Sequence, residues 1–259
     1  MNREQQYIET KAYKQFEEFC DACKKYKYIG ICHGLPGVGK TQAARHYADW
    51  DRLYPAFCEF DRKYEVTDEL TAELAEEKHT IFITAPTLGV NQITKDIKKI
   101  GYRITYMARE AFYEWDDGID LIIIDEVDRL KMAHLEQIRD LYDQQNVPLI
   151  LIGMPGIEKR LSRYPQLYSR IGFAQEYKKM DKIEAEHILH YKWEELGLEL
   201  QLADFSNYEA MNLILKITNG NFRLIHRLFT QIERVMAINH LQEISVDVVE
   251  TARDSLVIG

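Results

Sequence analysis

The segment Gly30–Trp50 reads GICHGLPGVGKTQAARHYADW. Its centre, GLPGVGKT, fits the pattern G-x-x-x-x-G-K-[ST] with Gly34, Leu35, Pro36, Gly37, Val38, Gly39, Lys40 and Thr41. An apolar run, YIGICH, leads into it, and a helical stretch with good helix formers, TQAARHYADW, leads out. Strand, glycine loop and helix in that order give the pattern its physical meaning. Glycines let backbone N–H groups approach phosphates, and the following helix turns its positive end toward them. A nucleoside triphosphate is the ligand such a loop holds. Lys40 is expected to reach the β- and γ-phosphates, and the Thr41 hydroxyl to ligate Mg2+. Gln42, the next residue of the helix, completes the set expected at the nucleotide.

Outward from this loop, strand and helix patterns alternate. Residues 4–25 read as an amphipathic helix, with Tyr7, Ile8, Ala12, Phe16, Phe19 and Cys20 at helical spacing. TIFITAP, DLIIIDE, VPLILIGMPG and IGFAQEYKKM read as further strands, and MAHLEQIRDLYDQQN, IEKRLSR and about Tyr106–Trp115 as helices. Strands that are almost continuously apolar predict a parallel sheet covered on both faces. After Met180 the strands stop, and four helical patterns fill residues 181–259. The expected division is a core at 1–180 and a helical domain at 181–259. Within the core, residues 51–79 are charged and mostly acidic. They read as a helical insertion, serving either a specific partner or, more plainly, as a solvated helix.

Composition bounds the alternatives. Hydrophobic residues make up 46% and charged residues 29% of 259 positions, an ordinary globular balance. The polar opening MNREQQYIETK lacks the pattern of a secretory signal, and the longest aliphatic runs, Leu121–Ile124 and Leu149–Ile152, are too short to span a bilayer. A cytoplasmic protein without a membrane partner is expected. Cys20 and Cys23 form a C-x-x-C, but Cys32 and Cys58 do not supply the second pair a zinc site needs. Small apolar residues on a helix are the reading adopted. The net charge of −9 requires any nucleic-acid contact to rest on a local basic surface.

Three further positions bear on chemistry. Leu121–Ile124 ends in Asp125-Glu126, which places carboxylates at the carboxyl edge of a buried strand, where open α/β sheets bind ligands. Asp125 can hold Mg2+, and Glu126 can act as general base on the attacking water. No N-K-x-D tetrapeptide for guanine is present, so ATP is favoured. Arg170, before the last strand, and Arg223, at the start of a C-terminal helix, can each stabilise charge on a transferring phosphoryl group. A surface ion pair is the alternative for both.

Together GLPGVGKT, LIIIDEVDRL, LILIGMPGIEKRL, YPQLYSRIGF and GNFRLIHRL resemble an AAA+ ATPase, and more narrowly the transposition ATPases of the Mu B, TnsC and TniB type. The resemblance spans roughly residues 5–250, with a gap over the acidic segment. It implies a five-stranded parallel αβα core with a helical lid. It assigns Arg170 as an arginine finger acting on ATP of a neighbouring subunit, and Arg223 as the sensor 2 arginine. It also implies an ATP-dependent homo-oligomer, a filament or ring on double-stranded DNA, that recruits or activates a transposase and dissolves on hydrolysis. One departure concerns the residue after the fourth strand. Met154 stands where the family usually carries a polar group, and a thioether cannot orient water as a hydroxyl or amide does. Slow hydrolysis, or a substitute for that group, is the consequence.

The expected DNA surface follows the second strand, in TLGVNQITKDIKKIGYRIT. Lys95, Lys98 and Lys99 fall near one helical face, with Arg103 close by and Asn91 and Thr105 as neutral donors to phosphate. An ordinary solvated basic helix is the alternative. Two rival functions share the core: a helicase or initiator loader, and a nucleotide-switched signalling or defence ATPase that binds protein and no DNA.

Overall fold

The computed structural model describes residues 7–59, 79–85, 95, 97–99, 119–201 and 203–256. They fall into two compact units. One comprises Tyr13–Gly34 and Lys40–Tyr177. The other comprises the described residues before Tyr13, the loop tip Leu35–Gly39, and the chain from Lys178 onward.

The first unit is built on a five-stranded parallel sheet. Its strands are β1 (Ile29–His33), β2 (Thr80–Thr84), β3 (Leu121–Asp125), β4 (Leu149–Gly153) and β5 (Ile171–Glu176), in the spatial order β2-β3-β4-β1-β5. β3 and β4 are buried along their whole length. They lie between other strands and under helices, so their aliphatic side chains have no solvated face. Each such side chain contributes roughly 1.5–3 kcal/mol on burial. β5 departs from the expected continuous burial and alternates between half-buried and exposed residues. Among the described residues it is the outermost strand of the sheet.

Among the described residues the helices of this unit are α1 (Lys11–Tyr26, from Tyr13 onward), α2 (Lys40–Tyr47), α3 (Trp50–Glu59), α4 (Met132–Gln145), α5 (Ile157–Leu161) and α6 (Pro165–Tyr168). α1 starts at Lys11, later than its apolar spacing suggests. The Lys11 amide donates to Glu184 Oε1 at 2.6 Å, which satisfies a first-turn N–H and fixes the start. The helix expected across Thr41–Trp50 breaks at Asp49, which adopts a left-handed conformation (φ 49°). α3 begins at Trp50, just before the segment read as an acidic insertion, and runs into it. Trp50 and Leu53 are buried, and the Trp50 ring meets Phe82 of β2 edge-on at 6.1 Å. Leu53, in the first turn of that segment, is therefore core, while Asp51, Arg52 and Tyr54 are exposed. The rest, 60–78, lies outside the described residues, as does the helix expected near 106–115.

Cys20, Cys23 and Cys32 are buried free thiols. Burial pushes all three thiols up, Cys23 and Cys32 to about 12, so they sit in the protonated, unreactive form.

The second unit is helical: α7 (Lys182–Glu195), α8 (Phe205–Thr218), α9 (Phe222–Asn239) and α10 (Val246–Asp254). Each begins on a residue whose side chain accepts a backbone N–H: Asp181, Asp204, Asn221 and Ser245. The four helices share a core that includes Trp193, Ile214, Ile225, Leu228, Ile232 and Val249. The Trp193 ring packs edge-on against Phe229 at 5.3 Å, and its N–H donates to Asn207. No helix of the described residues is long and apolar enough to cross a membrane.

Candidate nucleotide-binding site

The glycine loop leaves β1, an inner strand paired with β4 and β5, at the carboxyl edge of the sheet. Gly34 passes so close to the Tyr177 carbonyl that a side chain there would collide with it. Gly37 and Gly39 adopt positive φ, 79° and 112°, which bulkier residues resist. These constraints explain why glycine stands at each of these three positions. Leu35 is exposed at the loop tip, whereas Val38 is buried.

Lys40 opens α2 and is 9% exposed, and its ammonium donates to the Gly34 carbonyl at 2.7 Å. That bond holds the side chain back over its own loop, where the β- and γ-phosphates of a bound nucleotide would lie. Gln42 is exposed on the same helix.

Thr41 and Asp125 are brought together from positions 84 apart in sequence: the Thr41 hydroxyl donates to Asp125 Oδ2 at 2.6 Å. The other Asp125 oxygen accepts the Glu126 amide at 2.7 Å, and the residue is 3% exposed. A hydroxyl and a fixed carboxylate are hard oxygen donors. Mg2+ takes one or two such protein ligands and fills the rest of its octahedron with phosphate oxygens and water. The pair fits that ion, and Thr41 and Asp125 would be the residues to hold it.

Glu126 adopts a left-handed conformation (φ 57°, ψ 38°) and begins a short 3-10 turn at Val127–Arg129. Its carboxylate is ion-paired with Arg129 at 2.5 Å. The candidate base is thus held by a cation three residues on. The same turn is tied to the end of β4. Asp128 Oδ2 accepts the Met154 amide at 2.7 Å, and the Arg160 guanidinium donates to the carbonyls of Asp128 and Leu130. Met154 itself follows β4 with its thioether exposed.

Arg170 is engaged within its own chain. Its Nε and Nη2 donate to the two oxygens of Asp143 at 2.6 and 2.7 Å, and Nη1 donates to the Gln166 carbonyl. The Arg170 hydrogen bond holds the Asp143 carboxyl below the usual carboxylate range.

Arg223 lies in the helical unit, in the first turn of α9, with an exposed side chain. Its backbone amide donates to the Gly37 carbonyl at 3.0 Å. Beside it, Asn221 donates through Nδ2 to the Pro36 carbonyl at 2.9 Å. The sequence reading gave Asn221 no role. Its only signal was the cap position before a helix already singled out for Arg223.

Of the expected DNA surface, Lys95, Lys98 and Lys99 are helical and exposed, around buried Ile97. Asn91, Arg103 and Thr105 lie outside the described residues.

A model of the AAA domain family matches residues 23–161, more than half of the chain. A Staphylococcus aureus protein described as a potential ATP-binding protein is 51% identical, covering 100% of this chain and 99% of its own length. The ATP-dependent target DNA activator B of Escherichia phage Mu is 25% identical over 224 residues, covering 84% of this chain and 65% of that protein. Among solved structures, the Thermotoga maritima RuvB Holliday junction branch migration motor aligns with a TM-score of 0.62 at 20% identity. That alignment covers 97% of this chain and 71% of the motor, and it speaks to fold alone. The loop on β1, the Thr41–Asp125 pair and these matches agree: the chain belongs to the AAA domain family and carries the five-stranded core and helical C-terminal region of an AAA+ ATPase.

Proposed function

We propose that the chain is an ATP-dependent regulator of DNA transposition. It binds ATP with Mg2+, assembles as a homo-oligomer on double-stranded DNA, and recruits or activates a transposase. Hydrolysis then dissolves the assembly. The relationship to the target DNA activator of phage Mu is the observation that carries the DNA part of this reading. The exposed lysines at 95, 98 and 99 support it. Their contacts would be to phosphates, so binding is sequence-independent and weakens with salt. Many subunits along one duplex compensate for few contacts in each, which reconciles DNA binding with the net charge of −9.

Within the site, Lys40 and the loop amides hold the triphosphate, and Thr41 and Asp125 hold Mg2+. Bound there, Mg2+ would offset the negative charge of the phosphate oxygens. Glu126 takes the proton of the attacking water, Arg223 reaches the nucleotide of its own subunit, and Arg170 acts on that of a neighbour. Residues 1–180 and 181–259 serve as core and lid.

Sedimentation with a random-sequence duplex tests the reading, with ADP, ATP and a non-hydrolysable analogue at low and physiological salt. Large complexes with ATP or the analogue that disperse with ADP are expected. ATP binding with no DNA association would instead favour a protein-directed switch.

A further inference from the structure

The loop tip and the start of α9 make a contact that neither Lys40 nor Arg223 explains. Two successive carbonyls of the loop are taken by this one helix end: Pro36 by the Asn221 amide group at 2.9 Å, and Gly37 by the Arg223 backbone amide at 3.0 Å. The packing is close. A β-carbon on Gly37 would lie 2.5 Å from Asn221 Oδ1 and 2.9 Å from Arg223 Cβ. Asn221 is itself fixed. Its Oδ1 accepts the Leu224 amide at 3.2 Å as the cap of α9, and its backbone N–H donates to the Thr218 carbonyl at 2.9 Å.

Peptide planarity turns this contact into a statement about the ligand. In a trans peptide the carbonyl and the N–H of the next residue point in opposite directions. Holding the Pro36 carbonyl toward α9 turns the Gly37 N–H away from it. Holding the Gly37 carbonyl does the same for the Val38 N–H. Two adjacent donors are then preset on the side of the loop opposite the helix, which is the arrangement an anion-binding nest needs. Left unheld, a loop with two positive-φ glycines would sample other peptide orientations and pay for ordering when the anion arrives.

We propose that Asn221 is a positioning residue of the phosphate loop. Its side-chain amide, with the Arg223 backbone N–H, locks the Pro36 and Gly37 carbonyls so that the Gly37 and Val38 N–H groups are preset for the phosphates of a nucleoside di- or triphosphate. This rests on the nucleotide-site reading above and adds a residue to it.

The two duties of Asn221, cap and clamp, separate by substitution. Serine and aspartate cap helices about as well as asparagine, but neither can donate to the Pro36 carbonyl as the amide does. Asn221→Ser and Asn221→Asp are compared with wild type and Lys40→Ala by ADP titration, by unfolding without nucleotide, and by ATP turnover. For Asn221→Ser we expect an unchanged unfolding midpoint, ADP affinity about tenfold weaker, and KM for ATP raised by a similar factor with kcat within about twofold. Asn221→Asp is expected to lose at least as much affinity. Wild-type ADP affinity in both variants, while Lys40→Ala binds poorly, would overturn the role of Asn221 alone. Wild-type affinity in Lys40→Ala would overturn the nucleotide site beneath it.

Discussion

Arg170 and Asp143 face each other in a two-point pair, with Nε and Nη2 on separate carboxylate oxygens at 2.6 and 2.7 Å. The pair fixes the plane of the guanidinium, which is what an arginine offered to a neighbouring phosphate needs. If Arg170 acts in trans, Arg170→Ala loses a hundredfold or more of DNA-stimulated turnover, since a finger is worth about 10³–10⁵. Its own nucleotide affinity stays intact. Mixing it with Lys40→Ala subunits restores part of the activity, because each supplies what the other lacks. Full turnover by Arg170→Ala alone would leave Arg170 as a partner of Asp143 and nothing more.

The same pair gives a pH dependence with a definite sign. The Arg170 hydrogen bond lowers the Asp143 carboxyl in the folded state. Its stabilisation is therefore present above the unfolded value, about 3.9, and is lost as pH falls through the lower folded value. Asp181, lowered by Lys11, follows the same course. The stability difference between wild type and Asp143→Asn, read from urea midpoints, should be constant from pH 7 to about 5 and shrink below 4. Both groups are exposed, so the difference is small and decreases with added salt. A difference that grows toward low pH would contradict the pairing.

How far the sequence foretold this molecule depends on the range of the interaction. The phosphate loop and the Asp125 strand were legible because each is local: glycine spacing sets one, an aliphatic run ending in carboxylates sets the other. The helices of the C-terminal unit were legible from periodicity. Asn221 was not, because its contact with Pro36 joins residues 185 positions apart, and an asparagine before a helix reads as a cap. The pairing of Arg129 with Glu126 was not legible either, since arginines three residues from a glutamate are common on surfaces. The break at Asp49 escaped because no glycine or proline marks it.

Thr41 and Asp125 predict how metal dependence should fail. Asp125→Asn keeps an oxygen toward Thr41 but loses the charge proposed to hold Mg2+. Nucleotide affinity measured with Mg2+ should fall in this variant toward the value wild type shows in chelator, while affinity in chelator changes little. Isothermal titration with and without Mg2+ checks it. An Asp125→Asn protein that retains the full Mg2+ enhancement would move the ion to other ligands.

Glu126 and Arg129 make a paired prediction. Glu126→Gln should bind ATP, hydrolyse it at least a hundredfold more slowly, and persist in the assembled state. Arg129 sits on the Glu126 carboxylate at 2.5 Å, where it occupies an oxygen that the attacking water would need. Arg129→Ala should therefore raise turnover without DNA a few-fold. The double variant should stay at the Glu126→Gln level, because the gain acts only through that carboxylate. Acceleration in the double variant would show that Arg129 works elsewhere.

The lysines at 95, 98 and 99 are separated from a merely solvated helix by salt dependence. Each phosphate a protein neutralises contributes about −0.9 to the slope of log affinity against log salt on duplex DNA. Lys98→Ala should weaken duplex binding about equally for unrelated sequences and reduce that slope by roughly one per subunit contact. ATP affinity without DNA should remain that of wild type. The charge change alone is uninformative, since removing a cation from an acidic protein weakens attraction everywhere. The control is therefore a second lysine, Lys216 in the last turn of α8, placed outside the proposed surface. If Lys98→Ala and Lys216→Ala alter the slope equally, the effect is one of net charge, and these lysines do not form the DNA surface.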